Sequence, residues 1–199
     1  MKTLASSVSP GRAIILNGPT RVGKSSLAAE LQRISPQPPL TISMDSFYCH
    51  IMLPGLEQVS RDKWKNFNWA SGLYATASAL VREGHDVIID TLTVEPLTEN
   101  HLLHHFEDIR TYFIGLHCPL EFIRQRMRPG QENDAKAIKG AEEQFLTVHA
   151  NAQNCYDLEL DTSTLTTEEC AVKVLDFVTS TPEPLALSKL RASGNVANS

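Results

Sequence analysis

One short run carries the clearest chemical signal in the chain: Gly18-Pro19-Thr20-Arg21-Val22-Gly23-Lys24-Ser25, which fits G-x-x-x-x-G-K-S. At that spacing the two glycines let the backbone curl, so that successive N–H groups converge on a phosphate. Lys24 supplies a cation for the β and γ phosphates, and Ser25 a hydroxyl that can ligate Mg²⁺. Ser26 follows in an expected helix whose positive N-terminal end adds to the field. Residues Gly18 to Ser26 are therefore the expected nucleotide-binding segment.

Two carboxylates close short apolar runs further along. Asp90 ends "VIID" and is the expected holder of Mg²⁺ with Ser25. Asp45, in "ISMDSF", is placed to meet an acceptor hydroxyl, as general base or orienter. Either one read alone could simply cap the following helix. Three arginines, Arg124, Arg126 and Arg128, end an expected helix and enter a polar loop. That is the setting of a lid whose cations neutralise charge on a transferring phosphoryl group. Arg124 and Arg128 share a helical face and Arg126 does not, so a rigid helix cannot aim all three at one phosphate.

These residues need a scaffold that brings them together. Five apolar runs read as strands: Ala13–Asn17, Leu40–Met44, Asp86–Asp90, Thr111–Cys118 and Tyr156–Asp161. Between and after them lie expected helices over Lys24–Arg33, Trp69–Glu83, Pro96–Phe106, Leu120–Arg128, Ala135–Asn151 and Thr167–Val178. Alternation of this kind predicts an α/β fold with a parallel sheet sandwiched by helices. Ligands of such sheets bind beyond the carboxyl ends of the strands, where Gly18, Asp45 and Asp90 all fall.

With 199 residues, one domain with a complete core is expected. The expected limits are a flexible N-terminus over 1–10, a kinase-like domain over 11–180 with a lid at 124–138, and a flexible tail over 181–199. The irregular segment between Cys49 and Asn68 is long enough to be functional. A net charge of −5 gives no general basic footprint, which argues against nucleic acid and for a small ligand. Cys49, Cys118, Cys155 and Cys170 are scattered without a C-x-x-C pair, so reduced thiols are expected. No signal-peptide core and no apolar run of membrane-spanning length are visible, and a cytoplasmic location is the expectation.

With those pieces placed, the chain resembles chloramphenicol phosphotransferase and its relatives among the P-loop kinases. The matching stretches are "IILNGPTRVGKSSLA", "MDSF", "VIID", "FIGLHCPLEFIRQR" and "GAEEQFLTVHANAQNCYDLELDTS". The pattern running from Val148-His149 through Tyr156-Asp157 to Asp161-Thr162 is more diagnostic than the phosphate loop, which many families share. The resemblance implies a five-stranded parallel sheet of the nucleoside- or shikimate-kinase type, and Mg²⁺- and ATP-dependent transfer to a small-molecule hydroxyl. It places Asp45 at the catalytic base, Lys24 and Ser25 at the phosphate and Mg²⁺ site, and Arg126 at a lid arginine. After that arginine the family typically reads R-G-D-R, whereas this chain reads "RPGQEND", so Arg128 ranks below Arg126.

The acceptor region, Phe47 to Gly72, shows little likeness, and its aromatic residues suit either an apolar pocket or plain core. A zeta-toxin-like kinase of an activated sugar, or another small-metabolite kinase, would use the same constellation. A nucleotide-binding regulatory module is the alternative of a different class. In "HLLHHF", His101, His104 and His105 read as a solvated helix face in place of a zinc site.

Overall fold

The computed structural model describes residues 9–51, 69–93, 101–127 and 135–197. Five strands, β1 (Ala13–Asn17), β2 (Leu40–Ser43), β3 (Val87–Thr91), β4 (Thr111–His117) and β5 (Leu158–Asp161), form one sheet in the order β2-β3-β1-β4-β5. Every pairing is parallel. The described helices are α1 (Lys24–Ile34), α2 (Met44–Ile51), α3 (Trp69–Arg82), α4 (His101–His105), α5 (Leu120–Gln125), α6 (Ala135–Asn151), α7 (Thr167–Ser180) and α8 (Ala186–Ala197).

The continuous apolar runs of β1, β3 and β4 follow from burial on both faces. Ile14, Leu16, Ile88, Tyr112 and Ile114 pack on one side against α1 and α7, through Leu27, Leu31, Val174 and Val178. Their neighbours Ala13, Ile15, Val87, Ile89 and Phe113 pack on the other side against Leu73, Tyr74 and Val81 of α3 and Leu187 and Leu190 of α8. The edge strands β2 and β5 are the more exposed ones. Thr166 opens α7 with a reciprocal capping box to Glu169.

Two expectations need correcting. β2 ends at Ser43, and Met44 belongs to α2, because the Ser43 hydroxyl accepts from the Ser46 N–H at 3.0 Å and caps a new helix. Asp45 therefore stands in the first turn of a helix and does not end a strand. Most of the supposed flexible tail is helix α8, which buries Ala186, Leu187 and Leu190. Asp157, far away in sequence, accepts from the N–H groups of Leu185 and Ala186 at 2.7 and 2.8 Å and so caps that helix. The part of the expected Pro96–Phe106 helix before His101, and Arg128 with the middle of the lid, lie outside the described residues. Among the described residues no helix is long and apolar enough to cross a membrane.

Candidate active site

β1 delivers the chain at Asn17 into the phosphate loop. Gly18 passes so close to β4 that a Cβ there would lie 2.6 Å from the Leu116 carbonyl oxygen. Gly23 has φ 109°, which a side chain would disfavour, and Arg21 adopts φ 67°. The loop then enters α1, with Gly23 at the N-cap. This brings the backbone N–H groups of the loop and the positive end of α1 to one place.

The side chains of Lys24 and Ser25 are already engaged. Lys24 Nζ donates to the carbonyls of Gly18 and Pro19 at 2.8 and 3.0 Å. Burial lowers its pKa, opposed by the nearby carboxylates of Asp90 and then Asp45. Ser25 Oγ donates to Asp90 Oδ2 at 2.6 Å. The parallel register explains this pair: Asp90 lies beside Leu16, one residue before β1 runs into the loop. Asp90 is buried, whereas Asp45 is exposed.

A cavity of about 1000 Å³ joins these groups. Lys24, Ser25, Asp45 and Asp90 line it together, and Arg126, Thr162, Leu165 and Thr166 line it as well. Ser25 and Asp90 offer paired hard oxygens of the kind Mg²⁺ accepts beside phosphates, so the residues present fit that ion. The loop residues Thr20 to Ser26 are all in the lining.

The arginines separate. Arg126 Nη1 donates to the Val22 carbonyl at 3.1 Å and to Thr162 Oγ1 at 3.0 Å, while Nη2 donates to the Thr162 carbonyl at 2.7 Å. Thr162 Oγ1 in turn donates to the Val22 carbonyl at 2.7 Å. Arg126 thus rivets the phosphate loop to the segment after β5. Arg124 instead pairs with Glu142 of α6.

The diagnostic sequence pattern resolves into a partly buried network centred on the buried Asn17 and Thr93. Asn17 Oδ1 accepts from the Thr93 N–H and hydroxyl, each at 2.9 Å. That leaves Asn17 Nδ2 to donate to Tyr156 Oη at 2.8 Å and, at 3.5 Å, to the Val148 carbonyl. Tyr156 Oη lies 2.7 Å from His149 Nδ1. Tyr156 Oη accepts from Asn17 Nδ2, and because the neutral His149 ring donates its one N–H to the Leu116 backbone, His149 Nδ1 is the unprotonated nitrogen that accepts the Tyr156 O–H. The other nitrogen serves a hydrogen bond to the Leu116 backbone, and the ring stacks on His117 with centroids 3.9 Å apart. Burial, then His117, pushes the His149 pKa down to about 4. Burial likewise raises the pKa of Tyr156. The Tyr156 ring occupies the space over Gly115, where a Cβ would lie 2.7 Å from it. Asp157 Oδ2 accepts from the Phe113 N–H at 2.9 Å, and Asn151 Nδ2 donates to the Thr93 carbonyl at 2.9 Å. The pattern is therefore a clasp that holds α6 against the ends of β1, β3 and β4.

Sequence reasoning did not assign Asn17, Thr93 or Gln144, whose Oε1 accepts from the Thr20 N–H at 2.9 Å. The polar residue ending an otherwise apolar β1 was a usable signal for Asn17. His101, His104 and His105 cluster on α4, with His105 Nε2 3.1 Å from Ser71 Oγ.

A family model described as chloramphenicol phosphotransferase-like protein matches residues 11–179. A Mycobacterium tuberculosis (H37Rv) protein provisionally named as an O-phosphotransferase is 27% identical over 207 residues, covering 91% of this chain and 88% of that one. The structure of the Mycobacterium tuberculosis APS kinase CysC, in complex with AMPPNP and APS, superposes with a TM-score of 0.65 at 19% identity, covering 85% of this chain and 98% of that chain. Shikimate kinase from Acinetobacter baumannii, in complex with shikimate, gives 0.63 at 12% identity, covering 86% and 95%. The fold is that of the P-loop kinases.

Proposed function

The chain belongs to the chloramphenicol phosphotransferase-like family, and we propose that it is an ATP-dependent O-phosphotransferase acting on a hydroxyl of a small molecule. One observation carries the reading: a single cavity is lined at once by the phosphate loop, the Ser25–Asp90 pair and the Asp45 carboxylate. A phosphate cradle alone serves switches and motors equally well. A carboxylate in the same open space gives an incoming hydroxyl somewhere to send its proton.

In the proposed reaction the loop N–H groups and Lys24 hold the β and γ phosphates. Lys24 exchanges the Gly18 and Pro19 carbonyls for phosphoryl oxygens. Ser25 and Asp90 would hold Mg²⁺, which supplies charge neutralisation on the phosphates. Asp45 accepts the hydroxyl proton as the acceptor oxygen bonds to the γ phosphorus and the bond to the ADP oxygen breaks. Asp45 is exposed and lines the cavity, so an incoming hydroxyl can reach it.

The lid arginines carry a cost in this scheme. Arg126 must give up Val22 and Thr162, or Arg124 must give up Glu142, before either closes on the transferring group. In the arrangement described, Arg126 instead braces the Thr162 segment against the phosphate loop. The test is a screen of hydroxylated compounds, chloramphenicol first, for acceptor-dependent ADP formation with a mass gain of one phosphoryl group on the acceptor. A broad screen that yields no acceptor, alongside intact ATP binding, would favour a regulatory module.

A further inference from the structure

We infer that Gln144 is a positioning residue for the terminal phosphoryl group, through which helix α6 sets the shape of the phosphate loop. The inference rests on the reading of the cavity as a nucleotide-dependent phosphotransfer site. Its basis is a contact between two elements far apart in sequence: Gln144 Oε1 accepts the Thr20 N–H at 2.9 Å. The donor is a backbone N–H, so the orientation of the side-chain amide is forced, with its oxygen toward the loop.

The two ends of the loop are held by different partners. At Val22, the carbonyl is gripped by Arg126 and by Thr162 of the segment after β5. At Thr20, two residues past Gly18, the grip comes from Gln144. Thr20 lines the cavity whereas Gln144 does not, so Gln144 acts through Thr20 and does not itself touch the ligand.

Gln144 is also well fixed in space. Little more than a turn beyond it, the clasp described above anchors α6: the Val148 carbonyl meets Asn17, His149 meets Tyr156, and Asn151 meets the Thr93 carbonyl. Asn17 is the residue from which the loop departs. The loop is thus held at its root by the clasp and at its third residue by a side chain on the clasped helix. An acceptor at position 144 keeps the Thr20 peptide in one orientation, so that the remaining loop N–H groups converge where the γ phosphate must sit. Removal of that acceptor frees the Thr20 peptide to rotate and blurs the site for the last phosphate while leaving the rest of the cradle intact.

The test compares the full-length chain with Gln144→Met, which keeps the volume and loses the acceptor, and Gln144→Glu, which keeps an acceptor. Mg²⁺ complexes of ADP and of a non-hydrolysable ATP analogue are titrated calorimetrically, with the melting temperature measured in parallel. Gln144→Met is expected to bind ADP within about twofold of the parent and the triphosphate analogue about tenfold more weakly, the size of one hydrogen bond's net contribution. Gln144→Glu is expected to recover most of that loss in 0.5 M NaCl, where its added charge is screened. Unchanged discrimination between the two nucleotides in Gln144→Met, or an equal loss for both with a lowered melting temperature, would overturn the inference and leave the phosphotransferase reading standing. A parent chain that binds neither nucleotide would overturn both.

Discussion

The hydroxyl of Ser25 donates to the carboxylate of Asp90 across 2.6 Å, although 65 positions separate the two in sequence. Parallel pairing of β1 with β3 makes this possible, since it sets Asp90 beside the strand that feeds the loop and α1. The pair is the pivot of the proposed chemistry: two oxygens at the mouth of a phosphate cradle, one of them charged.

Asp90→Asn removes the charge while keeping the shape. Its expected effect is a fall of about 100-fold in kcat/KM for the Mg²⁺-dependent transfer. ADP affinity measured in EDTA should change by less than about threefold, because the loop N–H groups that cradle the phosphates keep their places. Equal losses with and without Mg²⁺ would show that Asp90 acts on folding rather than on the ion.

Tyr156→Phe deletes one oxygen and leaves both Asn17 Nδ2 and His149 Nδ1 short of a partner. A buried group stripped of its partner costs about 1–3 kcal/mol, and urea denaturation should show a loss of that size. Gly115→Ala should cost a similar amount by a different route, since its methyl would press on the Tyr156 ring. Because both act on the same ring, the double variant should lose less than the sum of the two.

Acid should weaken the clasp. His149 is held neutral in the fold, with its pKa lowered from 6.5 to about 4. The unfolded chain takes up its proton near pH 6.5 and the folded chain only near pH 4, so this contribution is full above pH 6.5 and is lost as pH falls toward 4. Melting temperatures of the parent and of His149→Gln across pH 4–7 should therefore converge at the acid end. Parallel curves would show that His149 does not titrate in this way.

Much of this architecture is legible in the sequence, for physical reasons that differ from element to element. The three central strands read as apolar runs because both of their faces are covered, and the spacing from Gly18 to Ser25 leaves little freedom for other structures. Helix α6 is legible at both ends, Ala135 and Asn151. Helix α8 is not, because "TPEPLALSKLRAS" has the composition of a tail. The buried Ala186, Leu187 and Leu190 are its only local signal, and its cap comes from Asp157. Asp45 misleads in the same way: its strand ends early because Ser43 turns its hydroxyl to Ser46. The partners of Arg124, Arg126 and Gln144 are set by how α5, α6 and the loops pack, which no spacing within one segment reports.

In the proposed reaction a hydroxyl gives its proton to Asp45 as phosphate is transferred. The most direct measurement is acceptor-dependent ADP release by Asp45→Asn beside ATP binding by the same variant, once an acceptor has been found. Transfer should be abolished while ATP affinity stays within about threefold of the parent, whereas Lys24→Ala should lose both. Acceptor-dependent ADP release that survives Asp45→Asn at the parental rate would rule out Asp45 as the base.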